Sequence, residues 1–285
     1  MKLRKFFDEH YSPLKLRGAH SARTVSMYHG VLRRFREFLL RDPEVKDLTN
    51  TTVSEFLKFR SMTVGPHSVE RERNQVVAMW RLACLMGLIK ELPMISATPL
   101  PQKIPKAWTV DELNLLLASA ESASGKIGSV LASRFWPALV NTLFETAERI
   151  GAVMACRPGD LSGQHLSVKA EYRKGGRISR VYTLSPATAD MVFGVCGRER
   201  IFEWPLSSTH LWGHFKRITK RAGLYAPRLG FHTLRRSAAS HYVAAGGNPS
   251  VLLGHQDARV TRKYLDPRIT EKDKPKPYEV LPKIG

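Results

Sequence analysis

The chain has 285 residues, and its 45 lysines and arginines outnumber its 25 acidic residues, which gives a formal net charge of +20. Such a charge favours a polyanionic partner, with nucleic acid as the leading candidate; an anionic membrane surface is the alternative, but no basic amphipathic anchor helix or lipidation signal is present. The N-terminus is charged rather than apolar, so we expect no secretory signal there, and no apolar run is long enough to span a membrane. The three cysteines include no C-x-x-C pair and favour neither zinc nor disulfides. We therefore expect a cytoplasmic protein, which would be nucleoid-associated if its partner is DNA.

Residues 1–92 are predicted to form an all-helical domain of about four helices. Apolar residues at spacings of three and four mark one helix face from Val25 to Leu39, and a second, shorter pattern runs from Val53 to Phe59. After a break at 65–68, a longer helix is predicted over Val69–Leu88. Residues 93–107 contain several prolines and little periodicity, which is typical of an extended linker.

Residues 108–270 are predicted to form a larger, mostly helical domain with a small β-sheet or hairpin, so the fold class is mainly α. Thr109 is the expected N-cap of its first helix. A second helix is expected from Ser129 to Arg149, with Pro137 marking a kink or its start. The basic turn 173–177 separates two β-prone segments, 166–168 and 181–184. Helical patterns then resume at 187–195, 207–222, 232–245 and after Asn248-Pro249, and a Lys/Pro-rich tail occupies 271–285.

Cutting a DNA phosphodiester without a metal requires a nucleophile, cations for the non-bridging oxygens and a proton donor for the departing sugar oxygen. His232 and Arg235 lie three residues apart on one predicted helix face, and the planar fork of an arginine matches two phosphate oxygens at once. An exposed basic helix explains the same pair. Tyr264 is flanked by cations, which favour a phenolate; a partly buried core tyrosine is the alternative.

Three further residues complete the set. Arg149 is expected to end an apolar helix, where a cation stabilises the helix terminus, and the functional alternative is a second guanidinium on the phosphate. Lys174 on the hairpin turn is either a solvated turn residue or the proton donor. His255 follows Gly254, which is expected to start or end a turn and to leave the histidine at a helix start.

The order of these residues along the chain is more specific than any one of them. Arg149, a basic hairpin with Lys174, then H-x-x-R, L-G-H and T-x-x-Y resemble the tyrosine recombinase (phage integrase) family. Residues 147–161 resemble its first-arginine box, 231–242 its second-arginine box and 252–265 its nucleophile box. The motifs cover residues 108–268, and the N-terminal helices resemble the family by architecture only.

The resemblance implies a site-specific recombinase that needs neither a metal nor a nucleotide cofactor. Tyr264 would attack the scissile phosphate, giving a 3′-phosphotyrosine and a free 5′ hydroxyl, while Arg149 and Arg235 clamp that phosphate. Lys174 would be the general acid, with Lys169, Arg173 and Arg177 as alternatives nearby. The remaining two site residues are His232, which would assist as acid or base, and His255, which would hydrogen-bond the phosphate.

The implied partner is double-stranded DNA, which the N-terminal domain would bind on the face opposite the catalytic domain. A tetramer would assemble on two DNA sites, and an accessory DNA-bending protein is a further candidate partner. Arginines predicted to contact DNA are Arg23, Arg33, Arg34, Arg73, Arg173, Arg177, Arg236 and Arg262.

The chain departs from the family pattern at the first-arginine box. Ala152 stands where the family usually has an acid, and Ala147-Glu148 replace the usual Gly-Leu, so we expect a divergent member. Two alternatives share the scaffold: a type IB topoisomerase-like enzyme that relaxes one strand, and a DNA-binding regulator that does not cut. A basic RNA-binding protein is less favoured, because no aromatic stacking motif is found.

Overall fold

The computed structural model describes residues 1–16, 22–101, 104–173, 178–254 and 258–272, with the backbone alone at 258–259. The chain divides into two compact units, 1–102 and 103–285, so the boundary falls inside the proline-rich segment. In the part of the chain so described, no helix has the length and apolar character needed to cross a membrane.

The first unit is helical. Its helices are α1 (Leu3–Phe6), which continues through a π-helical turn (Phe7–Tyr11) into α2 (Ser12–Lys15), and then α3 (Ala22–Leu39), a 3-10 turn (Val45–Asp47), α4 (Asn50–Ser61) and α5 (Pro66–Leu85). The predicted break at 65–68 extended too far, because α5 already begins at Pro66. Proline is tolerated at the first position of a helix, since the N–H there makes no hydrogen bond within the helix. The charged N-terminus, for which no helix was predicted, is helical because Leu3, Phe6, Phe7 and Tyr11 are buried.

A buried carboxylate joins three helices of this unit. The Glu72 side chain on α5 is 2% exposed and lies 2.9 Å from Nε of Arg34 on α3. Arg60 on α4 donates to its other oxygen at 2.8 Å. A carboxylate this deeply buried requires such compensation, so the two arginines are structural partners within the unit.

The second unit is mostly helical with small antiparallel sheets, so the predicted fold class is confirmed. Its helices are α6 (Val110–Glu121), α7 (Ala132–Thr146), α8 (Ile150–Val153), α9 (Pro186–Val195), α10 (Ser208–Arg221), α11 (Phe231–Ala244), α12 (Pro249–Leu253), α13 (Ala258–Arg262) and α14 (Pro267–Thr270). Thr109 caps α6 as expected, accepting a hydrogen bond from the Glu112 N–H at 3.3 Å.

Helix α7 is the centre of this unit, and it packs against α6, α9 and α11. Phe135, Trp136 and Leu139 on it are almost fully buried. The helix begins at Ala132 and continues through Pro137 to Thr146, so the expected extension to Arg149 was wrong. It ends there because the next residue, Ala147, adopts a left-handed conformation with φ of 51°.

The strands form two small sheets. They are β1 (Lys126–Ile127) paired with β2 (Val130–Leu131), and β3 (Leu161–Ser162), β4 (His165–Val168) and β5 (Arg180–Thr183) in the order β3-β4-β5, with 3-10 turns at Pro158–Asp160 and Ala170–Tyr172. The predicted hairpin corresponds to β4 and β5, which pair antiparallel with Leu166 opposite Tyr182. The connection between β4 and β5 therefore begins well before the basic turn.

Candidate active site

Helix α11 presents two of the predicted residues differently. His232 is exposed, whereas the Arg235 side chain is 1% exposed. The Arg235 guanidinium donates from Nη1 to the Ala147 carbonyl and from Nη2 to the Leu253 carbonyl at 2.8 Å. It therefore ties the turn after α7 to the end of α12.

This anchoring leaves donors on the guanidinium. An arginine carries five N–H bonds, and two of those of Arg235 go to the two carbonyls. Its buried Nε has no hydrogen-bond partner among the residues that the structure describes. Burial lowers the pKa of Arg235, the charge of Arg149 lowers it further, and Glu148 opposes both. The site thus holds a fixed guanidinium with donors to spare for an anion.

Arg149 lies between α7 and α8, at the N-cap position of the short helix that follows it. Its side chain is half-buried, and its backbone N–H donates to the Glu148 carboxylate at 3.0 Å. Because α7 ends at Thr146, the alternative that a cation here stabilises the end of that helix does not apply. The charge of Arg149 lowers the pKa of both Arg235 and His232, and Arg149 follows the Ala147 turn whose carbonyl Arg235 binds.

His232 has an imidazole whose pKa is lowered from its ordinary value. Partial desolvation by the surrounding protein is the largest cause, followed by the positive charges of Arg149, Arg235 and Arg236. Each of these disfavours the imidazolium. The imidazole is therefore neutral at neutral pH and able to accept a proton.

Tyr264 follows α13 and is half-buried. Its ring centroid lies 5.6 Å from the guanidinium carbon of Arg235, and its side chain packs against a small cluster that includes Ala147 and Leu253. The tyrosine and the second arginine of one chain therefore meet directly. Residues that are far apart in sequence converge: the turn after α7, helix α11 and the segment after α13.

Two predicted catalytic residues, Lys174 and His255, lie outside the described residues. The alternatives to Lys174 within the described part are engaged elsewhere. Lys169 pairs with Asp160 at 2.9 Å, and Arg173 pairs with Glu148 at 2.7 Å. The assignment of the general acid to Lys174 stays a prediction.

Sequence reasoning gave no structural role to several polar residues around the site. Tyr182 on β5 donates its hydroxyl hydrogen to Glu148 at 2.7 Å, and Arg180 donates to the Leu252 carbonyl at 2.9 Å. Asp266 is fully buried, where it accepts from the Ala107 N–H at 2.8 Å and pairs with Arg268. An Asp-Pro pair two residues after Tyr264 is a helix N-cap signature, and that signal was available for Asp266.

The eight arginines predicted to contact DNA are placed differently. Those with exposed side chains are Arg23, Arg33 and Arg262; Arg236 is half-buried, and Arg177 lies outside the described residues. Arg33 also lies 3.8 Å from Glu37. The three less exposed arginines are in closer intramolecular ion pairs: Arg34 with Glu72 at 2.9 Å, Arg73 with Glu70 at 3.1 Å, and Arg173 as above. A DNA contact by any of these three stays a prediction, and it would require the guanidinium to serve two anions at once.

Solved structures with the same fold include two integrases and a site-specific recombinase. A lambda integrase tetramer bound to a Holliday junction gives a TM-score of 0.76 at 21% identity, covering 97% of this chain and 80% of that one. The Tn1549 transposon integrase in complex with a circular intermediate DNA gives 0.72 at 11%, covering 93% and 95%. XerH recombinase in a post-cleavage complex with palindromic difH substrate gives 0.71 at 17%, covering 89% and 79%.

These identities show the fold alone, and no curated protein sequence matches the chain. The family is shown by the sequence model: residues 107–271, more than half of the chain, match the phage integrase family. The chain belongs to that family and is a tyrosine-type recombinase, as the order of its motifs had predicted.

Proposed function

We propose that this protein is a site-specific DNA recombinase that cleaves and rejoins strands through a 3′-phosphotyrosine link to Tyr264, without a metal or ATP. The observation that carries the proposal is the approach of the Tyr264 ring to the anchored guanidinium of Arg235, at 5.6 Å, within one chain. A nucleophile beside a fixed cation with unused donors is what attack on a phosphodiester requires.

In the proposed step the phenolic oxygen of Tyr264 attacks phosphorus, and the bond from phosphorus to the 5′ oxygen breaks. The neutral imidazole of His232 takes the phenolic proton. Arg149 and Arg235 stabilise the charge that develops on the non-bridging oxygens, and predicted donors from Lys174 and His255 complete the step, with Lys174 protonating the departing 5′ oxygen. The tyrosyl phosphodiester keeps the energy of the broken bond, so a 5′ hydroxyl from another strand can reverse the reaction.

The partner we propose is double-stranded DNA, bound by a tetramer that joins two sites. The net charge of +20 suits a partner that is a polyanion along its whole length. The lambda integrase to which the chain is similar was solved as a tetramer on a Holliday junction. Exposed arginines on the first unit, Arg23 and Arg33, are candidate phosphate contacts there.

The test is covalent trapping on a nicked suicide substrate, in which the cleaved 5′ fragment diffuses away. We expect wild-type protein to form an adduct stable in denaturing detergent and Tyr264→Phe to form none, while DNA affinity is nearly unchanged because phosphate contacts dominate it. Tyr242→Phe is a matched control, since Tyr242 is exposed on α11 and should leave the adduct intact.

Two outcomes would favour the alternatives. DNA binding by wild type without any adduct would indicate a regulator that keeps the scaffold. An adduct accompanied by supercoil relaxation, but no exchange between two matched sites, would indicate a type IB topoisomerase-like activity.

A further inference from the structure

Glu148 is a buried carboxylate whose two oxygens face different parts of the second unit. Its side chain is fully buried. Oε2 accepts the Arg149 backbone N–H at 3.0 Å and lies 3.9 Å from Nη1 of Arg235. Oε1 accepts the Tyr182 hydroxyl hydrogen at 2.7 Å and lies 2.7 Å from Nε of Arg173. One residue thus links the arginine box to the strand β5 and to the end of the connection that precedes residue 174.

Arg173 connects the Glu148 carboxylate to residue 178, on the far side of residues 174–177 in the chain. Its guanidinium, 11% exposed, donates from Nη1 to the Ile178 carbonyl at 2.9 Å while Nε faces Glu148. Residues 173 and 178 are the described residues on either side of 174–177, so a single side chain bridges these two residues and pairs with the carboxylate. Burial, and next the charge of Glu148, raise the pKa of Tyr182 to about 12, so its phenol stays protonated and keeps donating to Oε1.

Arg235 depends on Glu148 much less. Its guanidinium is held by the carbonyls of Ala147 and Leu253, and the 3.9 Å to the carboxylate is longer than a hydrogen bond. Loss of the negative charge would therefore loosen the Arg173 attachment, while the Arg235 guanidinium keeps both of its carbonyl anchors. The contribution of the Arg173–Glu148 pair can therefore be separated experimentally from that of the Arg235 guanidinium.

We propose that Glu148 is a positioning residue: by pairing with Arg173 it holds residues 173 and 178, which flank residues 174–177 in the chain, against the arginine box, so that departure of the 5′ oxygen depends on this carboxylate. The proposal rests on the proposed function, in which Lys174 protonates that oxygen. It makes Glu148 necessary for leaving-group departure rather than for binding of the phosphate.

The experiment compares two suicide substrates, one ordinary and one with sulfur in place of the bridging 5′ oxygen. In the second, the bond from Tyr264 to phosphorus forms, the P–S bond breaks, and the electron pair leaves on sulfur as a thiolate that needs no proton. Glu148→Gln keeps the shape and an acceptor but loses the charge. We expect it to cleave the ordinary substrate roughly 100-fold more slowly, and the sulfur substrate within about threefold of wild type, because general-acid assistance is then dispensable.

Two further variants sharpen the comparison. Tyr182→Phe removes one hydrogen bond and keeps the Arg173 pair, so it should show a smaller defect on the ordinary substrate with the same rescue by sulfur. Glu145→Gln is the matched control: Glu145, on the last turn of α7, binds Ser185 and Thr188 at the start of α9 and forms no ion pair with Arg173 or Arg235 in the described structure. It should leave the ratio of the two rates unchanged.

Equal slowing of both substrates by Glu148→Gln and Tyr182→Phe would overturn the proposal, as would no slowing of either. Thermal melting establishes that each variant is folded, and if Glu148→Gln is not, the ratio for Tyr182→Phe decides. A wild-type protein that forms no adduct on either substrate would instead count against the phosphotyrosine mechanism itself.

Discussion

Replacing Arg235 by lysine should destabilise the second unit even though the charge is kept. The guanidinium satisfies the buried carbonyls of Ala147 and Leu253 from two different nitrogens, and a single ammonium reaches one of them. A buried acceptor left without a partner costs about 1–3 kcal/mol. With a urea m-value of about 2 kcal/mol/M, the unfolding midpoint should fall by about 0.5–1.5 M.

Tryptophan fluorescence reports mainly on this unit, because four of the five tryptophans lie after residue 102. The matched control is Arg236→Lys, since the neighbouring Arg236 is half-buried and its three hydrogen bonds are longer, at 3.2–3.4 Å. We expect this substitution to lower the free energy of unfolding by less than about 1 kcal/mol. If the two variants unfold at the same urea concentration, the structural role assigned to the Arg235 guanidinium is wrong. Loss of cleavage alone would not decide the matter.

Two other substitutions test the surroundings of the site. Gly254→Ala should lower the free energy of unfolding by about 1–2 kcal/mol, because the φ of Gly254, +67°, is left-handed and a Cβ there would lie 3.0 Å from the Arg180 guanidinium. The control is Gly213→Ala in α10, where an added Cβ would meet open space. Equal urea midpoints for the two variants would contradict the argument. For Asp266, burial raises the pKa, but hydrogen bonds from Arg268 and from backbone N–H groups outweigh it, so the net shift is downward. A lowered carboxyl pKa contributes stability above its unfolded value of about 3.9, and that stability is lost as the pH falls through the folded value. Asp266→Asn should therefore unfold more easily than wild type at pH 7, with the gap in urea midpoint narrowing below about pH 4; a gap constant with pH would show that the carboxylate charge is not the cause.

Periodicity predicted the helices that bury one face. The bounds of α3, α9, α10 and α11 lie within about three residues of the predicted ones because apolar side chains repeat at helical spacing along them. The N-terminal helix had the same signal in Leu3, Phe6, Phe7 and Tyr11, but the surrounding charges obscured it. The end of α7 was not predictable locally, because an alanine at positive φ is sustained by a distant arginine that binds its carbonyl.

The order of the motifs gave the candidate site residues, of which the structure brings Tyr264 close to Arg235, but it did not indicate the residues that surround them. Glu148 was recognised only as a departure from the family pattern, since its partner Tyr182 lies 34 residues away on another element. Arg34 and Arg73 resembled free surface cations in the sequence, and the structure pairs them with Glu72 and Glu70. Tertiary ion pairing leaves no mark in sequence spacing, so a list of DNA contacts read from arginines alone includes structural ones.

The hydrogen bond from Arg235 to the Ala147 carbonyl spans 88 residues of sequence. During synthesis, a nascent chain therefore carries Arg149 long before it carries the guanidinium that holds the turn preceding it. Tyr264 emerges from the ribosome later still. A prematurely terminated or proteolytically shortened product that lacks residue 235 would lack this hydrogen bond, so the turn before Arg149 would be held only once synthesis has passed α11.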